Sequence, residues 1–276
     1  MPLPTTFNLP HPRHCRILAA VLVTALSADA LSAQTTPAVK KQTEVKSYVV
    51  ADIGYVNFRE DLDPWKLASL SLGRTTSSGS LIARLNYANR FKISGIQMEA
   101  DAYPRINSTT YAYLNVGYSQ SDIFPAWRFG GELFKSLPNA WEASLGFRQL
   151  RFSGTPVTLY TGAVGKYVGD YWVSVRPYLH FEPSGTSASA GVTARRYFAD
   201  GDHYVGLRAS YGSGASDAIT PDQLSRKSSY SLGVHGSGGP WLRRVGTWSV
   251  AFDHEQFSPQ NIRRSWTGTA GMKFKF

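Results

Sequence analysis

The chain has 276 residues, 17% of them charged, 13% aromatic and 25 of them glycine, with a formal net charge of +10. That length suits one large domain, and past the N-terminus no apolar run approaches the ~18 residues of a spanning helix, which argues against helical membrane insertion. A basic balance raises nucleic acid as a partner. No basic run here exceeds a pair such as Arg195-Arg196 or Arg263-Arg264, so anionic headgroups or an acidic solute in a pore account for the charge and no nucleic acid is expected.

The chain opens with a targeting pattern. Residues 1–16 carry His11, Arg13, His14 and Arg16 and no acid, and the apolar stretch from Ile17 to Leu26 follows. A basic lead, a short apolar core and small residues after it describe a cleaved secretory signal. Cleavage after Ala30 and after Ala33 both fit, and the second is preferred because Asp29 crowds the first. The lone Cys15 precedes the apolar core, so it does not form a lipidation site, and the mature chain has no thiol chemistry. The expected organisation is a signal peptide over 1–33, a polar periplasmic lead-in over 34–46, and one β domain over 47–276.

From Ser47 onward the periodicity is two, with turn residues recurring roughly every 10–16 positions. Ile96, Met98, Ala100 and Ala102 alternate with Gln97, Glu99, Asp101 and Tyr103. Trp141, Ala143, Leu145 and Phe147 alternate with Glu142, Ser144, Gly146 and Arg148. Tyr171, Val173, Val175 and Leu179 alternate with Trp172, Ser174, Arg176, Tyr178 and His180. The non-aliphatic face is rich in Gly, Ser, Thr, Tyr and Arg, which suits a crowded lumen better than the Lys/Glu-rich outer face of a soluble sandwich. The fold class expected is therefore all-β, an antiparallel transmembrane β-barrel of about 14 strands, with 12 as the alternative.

An even count puts both termini in the periplasm. The connections Arg59–Pro64, Ser119–Ala126, Gly212–Ser225 and Ser258–Ile262 then fall outside, and the tight turns at Leu137–Asn139 and Gly169-Asp170 fall inside. Trp65, Phe124, Trp127, Tyr167, Tyr171, Trp241, Trp248 and Trp266 lie near predicted strand ends and are expected to form interfacial girdles. In the last segment Trp266, Gly268, Ala270, Met272, Phe274 and Phe276 share one face, and Lys273 and Lys275 the other. Gly271, Phe274 and the terminal Phe276 resemble the insertion signal read by the outer-membrane barrel-assembly machinery.

Several stretches resemble the YaiO family of outer-membrane β-barrels. They include Tyr87–Phe91, Glu99–Pro104, Thr110–Tyr118, Phe124–Phe134, Leu137–Phe147, Val157–Gly162, Gly165–Trp172 and Ala194–Phe198. The resemblance implies an outer-membrane location in a Gram-negative bacterium, with lipid and lipopolysaccharide as surroundings. It also implies a role in envelope polysaccharide handling or export, and it brings no catalytic residues.

Three constellations carry chemistry. Inward charges of both signs are expected at Arg84, Glu99, Asp101, Arg128, Glu132, Glu142, Arg148, Arg176, Glu182, Arg195 and Arg208. They read either as a salt-bridge network that fills the barrel or as a constriction selecting an acidic or sugar-like solute. His235 and Ser237, two apart on one strand face, are the alternative: a lipid- or glycan-modifying hydrolase. That reading would need the pair at the outer-leaflet boundary, whereas turn parity puts it at the periplasmic end. Asp253-His254-Glu255 points its two acids one way and the histidine the other, and is expected at a hydrated outer rim. No metal or cofactor motif is present.

Overall fold

The computed structural model describes residues 46–276 apart from 153–154, 183–184, 199, 214–219, 221–222, 224 and 242–243. The expected signal peptide and nearly all of the lead-in lie outside the described residues. The strands are β1 (Lys46–Phe58), β2 (Trp65–Thr76), β3 (Gly79–Arg90), β4 (Ile93–Pro104), β5 (Thr110–Ser119), β6 (Trp127–Leu137) and β7 (Trp141–Phe152). They continue with β8 (Thr155–Val168), β9 (Tyr171–Glu182), β10 (Gly185–Tyr197), β11 (Tyr204–Gly212), β12 (Ser228–Trp241), β13 (Arg244–Gln256) and β14 (Ile262–Lys275). Each pairs antiparallel with its sequence neighbours, and β1 pairs with β14, so the sheet closes into a barrel of fourteen strands. Closure removes the two sheet edges, whose unpaired backbone groups could not be satisfied in hydrocarbon. At the seam, Ser47 and Phe276 exchange backbone hydrogen bonds of 3.1 and 2.9 Å.

Period-two alternation becomes an inside and an outside. On β4, Gln97, Glu99, Asp101 and Tyr103 are buried while Ile96 and Met98 are more than half exposed. This inverts the pattern of a soluble protein, as a barrel with lipid around it requires. A strand of about twelve residues tilted about 40° rises roughly 30 Å, enough to cross the apolar band. The first strand begins and the last strand ends at one rim, the periplasmic one, and the longest connection, between β11 and β12, lies at the other.

The β3–β4 turn is an exception to turn chemistry. Phe91 and Lys92 occupy it with φ of 50° and 68°, a region that glycine or asparagine fills more cheaply. Phe91 is held there by its ring, which stacks on Phe58 at 5.7 Å and meets Trp65 edge-on at 5.3 Å. Lys92 reaches Asp63 of the β1–β2 connection at 3.2 Å. Tertiary packing thus overrides the local preference.

Candidate functional site: the lumen

The interior is ordered by cross-strand rows. In one row Ser71, Arg84, Glu99, Gly117 and Arg128 are successive partners on β2 to β6. Arg84 and Arg128 grip opposite oxygens of Glu99, at 3.0 and 2.9 Å. Arg84 also reaches Asp101 at 3.2 Å, and Asp101 accepts from Asn115 at 2.6 Å and from Tyr113 at 3.0 Å. Gly117 makes the row possible: a Cβ there would stand 2.7 Å from Arg128 Cγ and 3.1 Å from Glu99 Cγ. A carboxylate desolvated without partners is costly, so these contacts are what allow four charges inside the sheet wall.

Glu132 organises the next group. It takes Arg148 at 2.8 Å and Arg176 at 2.7 Å, and its own side chain is almost wholly buried. Its cross-strand partner is Gly146, where a Cβ would lie 2.6 Å from Glu132 Cβ. The Arg148 guanidinium also lies 4.7 Å from the centre of the Tyr113 ring, tying the two groups together. Glu142 stands apart from these pairs and accepts from Tyr111 at 3.4 Å.

On β10 to β12 the chemistry changes. Arg195 lies 5.4 Å from the Trp172 ring centre and 4.7 Å from that of Tyr204, and its Nε donates to His235 Nε2 at 3.1 Å. Ser237 Oγ donates to the backbone carbonyl of Asp202 at 2.7 Å. The two members of the His-x-Ser pair therefore face the lumen near the periplasmic end and engage different partners. They do not form a nucleophile and base at the outer-leaflet boundary.

A cavity of about 550 Å³ runs through this interior. Arg84, Glu99, Asp101, Arg128, Glu132, Glu142, Arg148, Arg176, Arg195 and Arg208 all line it, together with hydroxyls such as Ser69, Thr193, Ser249 and Thr269. The backbone of Glu182 ends β9, and its side chain is outside the described residues. Among the described residues no cluster of three metal-binding side chains occurs.

Both mouths hold groups that sequence reasoning missed. At the outer end Glu255 pairs with Arg226 and Arg263, each at 2.6 Å, and accepts from Gln223 at 2.6 Å. Gln223 and Thr220 belong to the long β11–β12 connection and line the cavity, so these two residues of it enter the lumen. This corrects the reading of Asp253 and Glu255 as a hydrated rim: both are buried. Three of the girdle aromatics also turn inward. Trp65 packs with Phe58 and Val56, Phe124 with Ala88 and Ile123, and Tyr167 shares the inward parity of Leu159 and Thr161 on β8. Trp127, Tyr171, Trp248 and Trp266 do face outward, while the side chain of Trp241 lies outside the described residues.

At the periplasmic end the β10–β11 turn folds against β14. Asp202 pairs with Lys273 at 2.9 Å and with Lys275. Burial of Asp202 favours its neutral form, but the two ammonium groups outweigh burial and hold the carboxyl below its usual range. The His203 imidazole is raised above its usual range, first by its hydrogen bond to Asp200 and then by the Gly239 carbonyl. Nδ1 donates to Asp200 at 2.8 Å and Nε2 to Gly239 at 3.1 Å, so both nitrogens donate and the imidazolium is favoured. Burial of Asp200 acts against its ionised form, yet the bond from His203 leaves its carboxyl below the ordinary value. A spacing of 71 residues between Asp202 and Lys273 hid this contact from sequence.

The three residues of the expected C-terminal insertion signal divide between the faces. Phe274 and Phe276 point to lipid. Gly271 faces the lumen opposite Asp52 of β1 and Thr247 of β13.

Comparison with solved structures finds the same fold at low identity. The CymD monoaromatic hydrocarbon channel matches with a TM-score of 0.53 and 9% identity, covering 86% of this chain and 89% of its own. An anion-selective porin from Comamonas acidovorans matches at 0.46 and 11% identity, over 84% and 99% of the two chains. The KdgM porin matches at 0.44 and 12%, over 82% and 99%. No curated protein sequence matches the chain. The model of the YaiO membrane β-barrel domain matches residues 46–217, and the chain belongs to the YaiO family of outer-membrane β-barrels.

Proposed function

We propose that this barrel is a non-enzymatic passage or structural component of the outer membrane, serving the handling or export of an envelope polysaccharide. The observation that carries the reading is the 550 Å³ cavity with arginine, tyrosine and hydroxyl groups on its wall. Arginine forks match carboxylate and phosphate groups, tyrosine and tryptophan faces suit the apolar faces of sugar rings, and serine and threonine exchange hydrogen bonds with hydroxyls. The charges of the β3–β9 wall are spent mostly on one another, so they brace the barrel and narrow the path together. Its partners in this reading are the assembly machinery, met through the C-terminal strand, and the export system whose glycan passes.

The test is single-channel conductance of the refolded mature barrel, with uronic-acid oligosaccharides titrated in. Steady current blocked by the acidic saccharide, with the block weakened in Arg195→Gln, supports the passage role. A silent barrel supports the structural role, and current indifferent to saccharides counts against the polysaccharide assignment. Ser237→Ala is expected to leave lipid hydrolysis in membranes unchanged.

A further inference from the structure

The positive charge of the barrel is not spread evenly between its two faces. Every strand carboxylate with a described side chain, from Asp52 on β1 to Glu255 on β13, lines the lumen. The outward face keeps basic groups, and those near the periplasmic end are Arg74, Lys135, Lys166, Arg196 and Arg244. At the opposite end two cations are matched by acids of the β1–β2 connection, Arg264 by Glu60 at 2.8 Å and Lys92 by Asp63 at 3.2 Å. Among the described residues Lys166, Arg196 and Arg244 have no carboxylate partner; each lies instead over an aromatic ring.

The geometry is a pair of cross-strand clamps. Lys166 of β8 faces Trp141 of β7 in register, with its Nζ 4.6 Å from the ring centre. Arg196 of β10 faces Tyr171 of β9, 5.7 Å from that ring and 5.4 Å from Phe198. The two clamps occupy neighbouring hairpins, since Lys166 is also the register partner of Val173 on β9. Tyr171 and Phe198 are 52% and 61% exposed, so the rings stand at the surface where tails give way to headgroups. A ring face orients a cation while leaving N–H donors free toward a third group. The surface thus offers oriented donors, net positive charge and an apolar strip above them.

We propose that this belt, centred on Lys166 and Arg196, binds the phosphodiester of an anionic glycerophospholipid in the periplasmic leaflet. Its position at the periplasmic rim, where β1 begins and β14 ends, places it away from the leaflet that holds lipopolysaccharide. The apolar strip of Val173, Val175 and Val164 above the cations takes the acyl chains.

Native mass spectrometry of the full barrel in detergent, titrated with phosphatidylglycerol or with phosphatidylcholine, tests it. The native barrel retains phosphatidylglycerol in preference. Lys166→Gln combined with Arg196→Gln lowers that affinity roughly thirtyfold, the amount expected for two basic groups at an anionic surface. Phosphatidylcholine retention stays the same, and heat-modifiable gel migration shows that the variant is folded. Lys66→Gln combined with Arg151→Gln, at the opposite end, leaves retention intact. Equal retention of the two lipids by the native barrel, no change in the first double variant, or an equal loss in the second would each overturn the assignment.

Discussion

Asp52 accepts a hydrogen bond from Thr247 at 3.1 Å by passing directly over Gly271, which lies between them in the cross-strand row. Ser69 donates to the other oxygen at 3.4 Å. The row crosses the seam between β1 and β14, so a side chain from the first strand is tied to the thirteenth through the gap a glycine leaves. The lumen rows at Gly117 and Gly146 follow the same rule.

A Cβ on Gly271 would stand 1.9 Å from Asp52 Oδ1 and 2.6 Å from Thr247 Oγ1. Gly271→Ala is therefore expected to destabilise the closed barrel by about 1–3 kcal/mol, the usual cost of overpacking. Asp52→Ala removes the obstacle, so the double variant should recover part of the loss, a coupling that a double-mutant cycle measures. Urea unfolding in vesicles provides the readout. Equal and additive losses would show that Gly271 acts only through strand conformation.

Glu132 neutralises Arg148 and Arg176 at once. Glu132→Gln leaves both cations in the wall without their shared anion, and the expected loss is roughly 3–5 kcal/mol, as for breaking a buried pair from one side. Removing one negative charge should also move the reversal potential of the channel toward anions. Urea unfolding and bilayer recordings on the same preparation check the two halves.

The periplasmic turn is expected to be pH-sensitive. His203 has its affinity for a proton raised in the folded state, so its contribution is full below the unfolded value of 6.5 and is lost as pH rises through the higher folded value. Asp200 and Asp202 are lowered, so theirs is present above the unfolded value of 3.8 and is lost as pH falls through the folded values. Hydrogen-exchange protection of residues 200–203 should be greatest between those limits. His203→Gln should flatten the alkaline limb and the Asp200 share of the acid limb, leaving the share that Asp202 owes to Lys273 and Lys275.

Glu255 ties the long β11–β12 connection into the outer mouth through Gln223 and Arg226. Glu255→Gln should release it, with faster protease nicking between Ser213 and Lys227 and a larger single-channel current. Unchanged nicking would mean that the connection is held at Thr220, buried in the mouth, and not through Glu255.

The sequence by itself determined the barrel, its strand pairing order and the two-faced character of its strands. Those follow from a period of two and a turn chemistry repeated at short intervals, both of them local rules. The decision between fourteen strands and twelve, and the pairing of particular charges, came only with tertiary structure. Strand stagger decides which lumen residues are level with one another, and it brings Asp202 to Lys273 across 71 positions and Arg226 to Glu255 across 29. The same cause explains Trp65 and Phe124. Position near a strand end reads as a girdle, but Trp65 has the inward parity of Leu67 and Ser71, and Phe124 folds back from its connection over Ala88. Alternation is a property of one strand at a time, whereas contact inside a closed barrel depends on the tilt shared by all of them.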